Sequence, residues 1–145
     1  INVFFAPKIG RLIQRFGERK SLIFEYVGLA FIFIGYAFVE SGYFAVLLYI
    51  VDHLFFSIAI ALKTYFQKIA DPADIASSAG VSFTINHIAA VFIPVVFGLI
   101  WLYSPSLVFL AGAGMACVSL LLALNMPSEP TAGNEVLMGK VKNYI

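Results

Sequence analysis

The chain has 145 residues, of which 61% are hydrophobic and 12% are charged, with a mean hydropathy of +0.95 and a formal net charge of +1. A soluble domain carries about a quarter charged residues, and its folded surface needs more polar cover than this composition supplies. The composition excludes an ordinary soluble domain, and the small net charge gives no indication of nucleic-acid binding.

The apolar residues fall into four long runs. The chain begins with residues 1–7, which we interpret as the end of a further span, and continues with a basic loop to Lys20. Each run is about as long as the 20 or so residues that a helix needs to cross the hydrocarbon core, and their continuous character disfavours a β-barrel. The sequence therefore predicts an all-α membrane protein with a linker over residues 63–79 and a tail over residues 127–145. The four predicted spans are Ser21–Val39, Phe44–Leu62, Gly80–Tyr103 and Ser106–Met126.

The positive charges predict how these spans are oriented. If the spans cross alternately, all nine Lys and Arg residues fall on one side of the membrane. Short loops rich in Lys and Arg remain cytoplasmic. We therefore expect a multi-pass protein of the cell (inner) membrane with its C-terminus in the cytoplasm.

Two local patterns refine this prediction. Asp71, Pro72 and Asp74 are typical of an N-cap, a first helical position and an acidic first turn, so the third helix should begin near Pro72. The small residues 111–116 of the fourth span should let another helix approach closely. We expect the polar tail after this span to be poorly ordered.

Polar residues inside the spans are the candidate functional residues, because a charge at the bilayer centre costs about 2.5–3.5 kcal/mol by insertion scales and usually serves a purpose. Asp52 lies about 12 Å into the second span, at about 1.5 Å per residue. Tyr49, Asp52 and His53 share one helix face. This set could bind substrate or a proton in a cavity. Alternatively, Asp52 makes an inter-helix contact, for example with His87.

The other intramembrane polar residues have structural alternatives as well. Asn86 and His87 in the third span could line a functional interface or simply tie helices together. Pro94 in the same span should remove a helix hydrogen bond. Glu25 in the first span is interpreted as a structural residue, stabilised by the helix dipole or reaching toward Arg19 or Lys20, with a role in transport as the alternative. Nothing in the sequence indicates a cofactor or a metal site.

The basic loop resembles a motif of the major facilitator superfamily, Gly-x-Leu-x-Asp-Arg-x-Gly-Arg-Arg between two spans. Gln14 stands at the position of the acid, and Glu18 stands where a base is common. Four spans and a tail follow the loop, as they do after the second copy of the motif in this family. The matching residues are Gly10, Leu12, Arg15, Gly17, Arg19 and Lys20.

This resemblance implies that the chain is part of the C-terminal six-helix bundle of a twelve-helix facilitator, from the end of helix eight to helix twelve. It implies a secondary transporter that moves a small solute by alternating access, with its site near the midplane between two bundles. On this basis Asp52, His53 and Tyr49 become candidates for binding substrate or protons. The missing N-terminal bundle would be the partner of the gating candidates, which are Gly10, Arg15, Gly17, Arg19, Lys20, Asn86, His87 and Pro94.

Two other function classes remain open. A facilitator-like protein that does not transport could act as a sensor or an assembly partner. An intramembrane enzyme is disfavoured, because adjacent Asp52 and His53 point about 100° apart on a helix, a poor arrangement for one metal ion. The sequence does not reveal the solute, although the lack of intramembrane Arg or Lys favours a neutral or cationic one.

Overall fold

The computed structural model describes Arg11, Ile13, residues 15–131 and residues 134–138. Gly10, one of the gating candidates, lies outside the described residues, as do Leu12 and Gln14 of the same motif. Within the described part, the chain is all-helical and forms no β-strand beyond a single isolated bridge between Thr131 and Asn134.

Five α-helices and one short 3₁₀ segment follow Gly17, and the described residues before it, Arg11, Ile13, Arg15 and Phe16, are helical as well. The second α-helix, the 3₁₀ segment and the third α-helix follow one another without a loop. Counting these three as one span, four helical segments are long and apolar enough to cross a membrane, which supports a multi-pass membrane protein. The elements are α1 (Glu18–Phe38), α2 (Gly42–Phe56), the 3₁₀ segment (Ser57–Ala59), α3 (Ile60–Ile69), α4 (Ile75–Trp101) and α5 (Pro105–Leu124).

The linker predicted over residues 63–79 is mostly helical in the structure. The second span continues as α3 to Ile69, and α4 starts at Ile75 instead of Pro72. The Asp71 carboxylate accepts a hydrogen bond from the backbone N–H of Ala73 at 2.9 Å, and the Asp74 N–H donates to the Asp71 carbonyl. Asp71 therefore organises a turn ahead of the helix, and the predicted helix start was three residues too early.

The core forms where α1 packs on α5, with further contacts from α1 to α2, the 3₁₀ segment and α3. Small residues of α5 produce this close approach, as the sequence predicted. Gly112 lies against the Phe33 ring, where an added Cβ would come within 3.3 Å of it, and Ala113 and Ala116 are buried beside it. Dispersion contacts at this short distance favour helix association in lipid.

Helices α2 and α4 are more exposed than α1 and α5. Neither α2 nor α4 contains a buried residue, although α2 contacts α1 and α4 contacts α5. Helix α4 continues through Pro94 to Trp101. Large parts of both surfaces are therefore available to lipid, to water or to other helices.

The tail is more organised than we expected. The Leu137 N–H donates to the Asn125 carbonyl at 2.7 Å, and the Met138 N–H donates to the Asn125 side-chain oxygen at 2.6 Å. The Tyr65 hydroxyl of α3 donates to the Glu135 carbonyl. Residues 134–138 thus fold back against the ends of α3 and α5, and the expectation of a poorly ordered segment was wrong for them.

Candidate functional site

The polar face of α2, formed by Tyr49, Asp52 and His53, is the first candidate site. The rings of Tyr49 and His53 are 4.3 Å apart, and the His53 Nδ1 atom lies 3.3 Å from the Tyr49 carbonyl oxygen. Both contacts follow from the i, i+4 spacing on a helix. Tyr49 is 56% exposed and His53 is also exposed, so this pair points away from the other described helices.

Asp52 lies at the edge of this face that is nearer to α1. Leu48 and Phe55 of α2 contact glycines of α1, and Asp52 follows Leu48 by four residues, which places it on the same side. It is half-buried. Within the described residues, the Asp52 carboxylate makes no hydrogen bond or ion pair, so the proposed contact with His87 is not formed.

Asn86 and His87 belong to a different surface of the bundle. Asn86, with Ser82 and Phe83, lines one wall of an open groove of about 1070 Å³, and its other wall includes Ser57 and Lys63. His87 is exposed, its ring lies 4.0 Å from that of Phe83, and its Nδ1 atom lies 3.0 Å from the Phe83 carbonyl oxygen. We define this space as the α3–α4 groove. It is mainly apolar.

The structure does not bring the polar residues of α2 and α4 together. Tyr49, Asp52 and His53 do not line the α3–α4 groove. Across the described residues, no hydrogen bond or ion pair joins either Asp52 or His53 to Asn86 or His87. The two sets therefore form separate surfaces in the arrangement seen here.

The described residues of the predicted basic loop are helical up to Phe16, so the expectation of a loop was wrong for them, and the chain changes direction at Gly17 before α1. The Gly17 φ of 84° and ψ of 156° lie in a region that residues with a Cβ seldom occupy. The Gly17 carbonyl accepts hydrogen bonds from the Ser21 N–H at 3.2 Å and from the Ser21 hydroxyl at 2.9 Å. This turn sets the direction of α1.

Arg19 connects the start of α1 to the end of α5. Its Nη2 atom donates to the Leu124 carbonyl at 3.1 Å, and its Nη1 atom lies 3.5 Å from the Ser128 hydroxyl. The last carbonyls of a helix lack intrahelical partners and carry partial negative charge, so a guanidinium stabilises them. Arg15 and Lys20 are exposed. Arg19 thus contacts the C-terminal end of a helix in its own bundle, and its predicted contact with an N-terminal bundle stays a prediction.

Glu18 and Lys68 form an ion pair that sequence analysis did not anticipate. The Lys68 Nζ atom of α3 lies 2.6 Å from a Glu18 carboxylate oxygen; Glu18 is buried and Lys68 is half-exposed. One feature of the sequence is consistent with this pair, because the two opposite charges lie in segments that were predicted on the same side of the membrane. The pair joins α1 to α3 at what we call the basic end of the bundle, which includes Arg19 and the end of α5.

Glu25 does not occupy the position that the sequence suggested. It lies seven residues into α1, is 3% exposed and faces the helix core, so it does not reach toward Lys20 or the membrane surface. Arg19 is bonded to the end of α5 instead. The interpretation of Glu25 as a first-turn residue that reaches toward these two cations was therefore wrong.

Comparisons of the chain with protein-family models, with curated proteins and with solved structures found no match. Its assignment to a class therefore depends on its residues and their arrangement. Among the described residues, no three of His, Cys, Asp and Glu come together as a group that could hold a metal ion.

Proposed function

We propose that the chain is part of a secondary active transporter that moves a small solute by alternating access. The polar face of α2 is the observation that carries this proposal. Tyr49 and His53 are exposed on a membrane-length helix, and Asp52 at its edge makes no hydrogen bond or ion pair within the described residues. A charged or strongly polar face is unfavourable against lipid, so it requires a water-filled cavity or another helix surface.

The basic end of the bundle supports the same proposal. Gly17 and Arg19 are the motif residues that the resemblance to the major facilitator superfamily assigns to a turn between two spans. Their conformation and contacts fit such a turn: glycine alone tolerates the backbone angles, and the guanidinium stabilises a helix end. In the proposed transporter, this would be the cytoplasmic side of the inner membrane.

Cysteine accessibility distinguishes a water-filled cavity from a lipid-facing surface. In the full-length protein with Cys117→Ala, we expect His53→Cys to react with a membrane-impermeant thiol reagent. Leu54→Cys is the matched control, because it lies at nearly the same depth but about 100° away on the helix. Equal and low reactivity of the two variants would contradict a cavity at this face.

Transport itself needs a separate measurement. Full-length protein reconstituted in vesicles with an internal pH-sensitive dye should move protons when the correct neutral or cationic solute is added. If Asp52 carries the coupled proton, Asp52→Asn should abolish uphill uptake driven by a pH gradient. Normal uphill uptake by this variant would eliminate Asp52 as the proton carrier. Solute binding without flux would instead support the sensor or assembly alternative.

A further inference from the structure

Glu25 is the most deeply buried carboxyl group of the described residues. It lies in the interior of α1, within a segment long and apolar enough to span a membrane, and only 3% of its surface is exposed. Ser21, Leu22 and Ile32 share its side of the helix and are buried as well. Glu25 is therefore enclosed by protein, in contrast to the residues of the polar face of α2.

Among the described residues, the carboxyl group of Glu25 has no hydrogen-bond or ion-pair partner. Its Oε2 atom is inaccessible and accepts no hydrogen bond from any described residue. Helix α5, against which α1 packs most extensively, contains no Asp, Glu, Lys, Arg, His or Tyr. The largest neighbouring surface thus offers no charge to balance an ionised glutamate.

The ionisable groups on α1 itself do not fill this role. Tyr26 follows Glu25 in sequence, but it carries no positive charge. Glu18, seven residues earlier on the same side, is an acid. Arg19 is directed to the end of α5.

The ionisable groups on the other helices that pack against α1 are also engaged or distant. On α3, Lys68 is paired with Glu18, the Tyr65 hydroxyl donates to a tail carbonyl, and Lys63 is exposed and lines the α3–α4 groove. On α2, Asp52 is an acid, and the exposed Tyr49 and His53 point away from the other described helices. The 3₁₀ segment, Ser57–Ala59, carries no ionisable side chain.

An ionised carboxylate that is removed from water without a partner is strongly unfavourable, and such a group takes up a proton instead. We infer that Glu25 is an intramembrane proton-binding site, occupied by a proton at neutral pH while α1 is packed against α5, α2 and α3. The proton would be released when these helices separate and water reaches the carboxyl group. Glu18 shows the contrast, because Lys68 lies beside its buried carboxyl group as an ion-pair partner.

This inference does not depend on the proposed transport activity, since proton occupancy is measured directly. Infrared spectra distinguish the two protonation states, because a protonated carboxyl group has a C=O stretching band that a carboxylate lacks. The spectrum of the wild type minus that of each variant isolates the band of the replaced residue. We expect full-length protein in lipid nanodiscs at neutral pH to show this band. It should be absent in Glu25→Gln and retained in Asp52→Asn and in Glu40→Gln, an exposed glutamate.

Glutamine is close in shape to a protonated glutamic acid, so Glu25→Gln should fold with the stability of the wild type. If it does not fold, Glu25→Asp keeps a carboxyl group at this position, and its protonated band should no longer shift on ¹³C-glutamate labelling, as the wild-type band does. A band that is unchanged in Glu25→Gln, or the absence of any protonated glutamate band at neutral pH, would overturn the inference.

Discussion

Gly28 of α1 lies directly against the aromatic ring of Phe55 in α2, which leaves no room for a side chain. A Cβ atom added at Gly28 would come within 2.8 Å of the Phe55 Cδ1 atom and closer still to two other atoms of the ring. Real Cβ atoms essentially never approach another heavy atom within 3.0 Å. Gly28→Ala must therefore displace the ring or separate the two helices.

Both adjustments lower the stability of the helix pair. The Phe55 ring contacts Phe24 with a centroid distance of 5.1 Å, and an aromatic pair contributes about 0.5–1.5 kcal/mol beyond its buried area. Extra atoms in a packed interior cost about 1–3 kcal/mol when neighbours must shift. We therefore expect Gly28→Ala to lower the free energy of unfolding by about 0.5–3 kcal/mol, with loss of the aromatic pair as the lower limit.

The free energy of unfolding can be measured by titrating full-length protein in mixed micelles with dodecyl sulfate while following helical circular dichroism. Gly114→Ala in α5 is the matched control, because no heavy atom lies within 4 Å of its added Cβ. Alanine is favoured over glycine inside a helix by about 0.5–1 kcal/mol, so this variant should be at least as stable as wild type.

Phe55→Ala provides the second test of the same reasoning. With the ring removed, Gly28→Ala should lose most of its penalty, which a double-mutant cycle measures as a coupling energy. If Gly28→Ala is as stable as Gly114→Ala, or if its penalty persists without the ring, the contact does not determine the spacing of α1 and α2.

Three further predictions concern the basic end and use the same unfolding measurement. Lys68→Ala should lower the free energy of unfolding by about 1–3 kcal/mol, because buried Glu18 loses its partner. Adding Glu18→Gln should recover much of this loss, and a double variant without recovery would contradict the ion pair. Arg19→Gln should lower the free energy of unfolding by about 1 kcal/mol, because the interaction with the end of α5 is lost. The control Lys20→Gln, at an exposed residue, should change it by no more than about 0.5 kcal/mol. Equal effects of the two variants would argue against a specific Arg19 contact. Gly17→Ala should cost about 1–3 kcal/mol from backbone strain alone, since nothing lies within 4 Å of its added Cβ; an unchanged stability would mean that the turn adopts other angles.

The existence of the membrane-length helices was predictable because the hydrocarbon thickness sets a minimum length for an apolar run. The helix ends were less predictable, because hydropathy marks where polar residues appear and not where hydrogen bonding stops. The second span illustrates this, since α3 continues through Lys63 and Lys68 to Ile69. Lysine is a good helix former, so these residues end the apolar run but not the helix.

Packing was predictable only where several small residues occur together. The run at residues 111–116 indicated close approach, and Gly112 does contact Phe33 of α1. Gly28 is an isolated glycine in an aromatic-rich span, and nothing in the sequence pairs it with Phe55. Likewise, the Glu18–Lys68 ion pair depends on how α1 and α3 meet in space, which local patterns do not specify.

The two intramembrane carboxyl groups show why depth alone is an incomplete guide to function. Sequence position gives the distance of Asp52 and Glu25 from the ends of their spans, but it does not tell whether water, lipid or protein surrounds them. Asp52 lies farther from the nearer end of its span than Glu25 does, yet it is half-exposed on an open face. Glu25 is instead enclosed by packed helices. The physical demands therefore differ: Asp52 requires a polar environment beyond the described helices if it is charged, and Glu25 requires a proton within them.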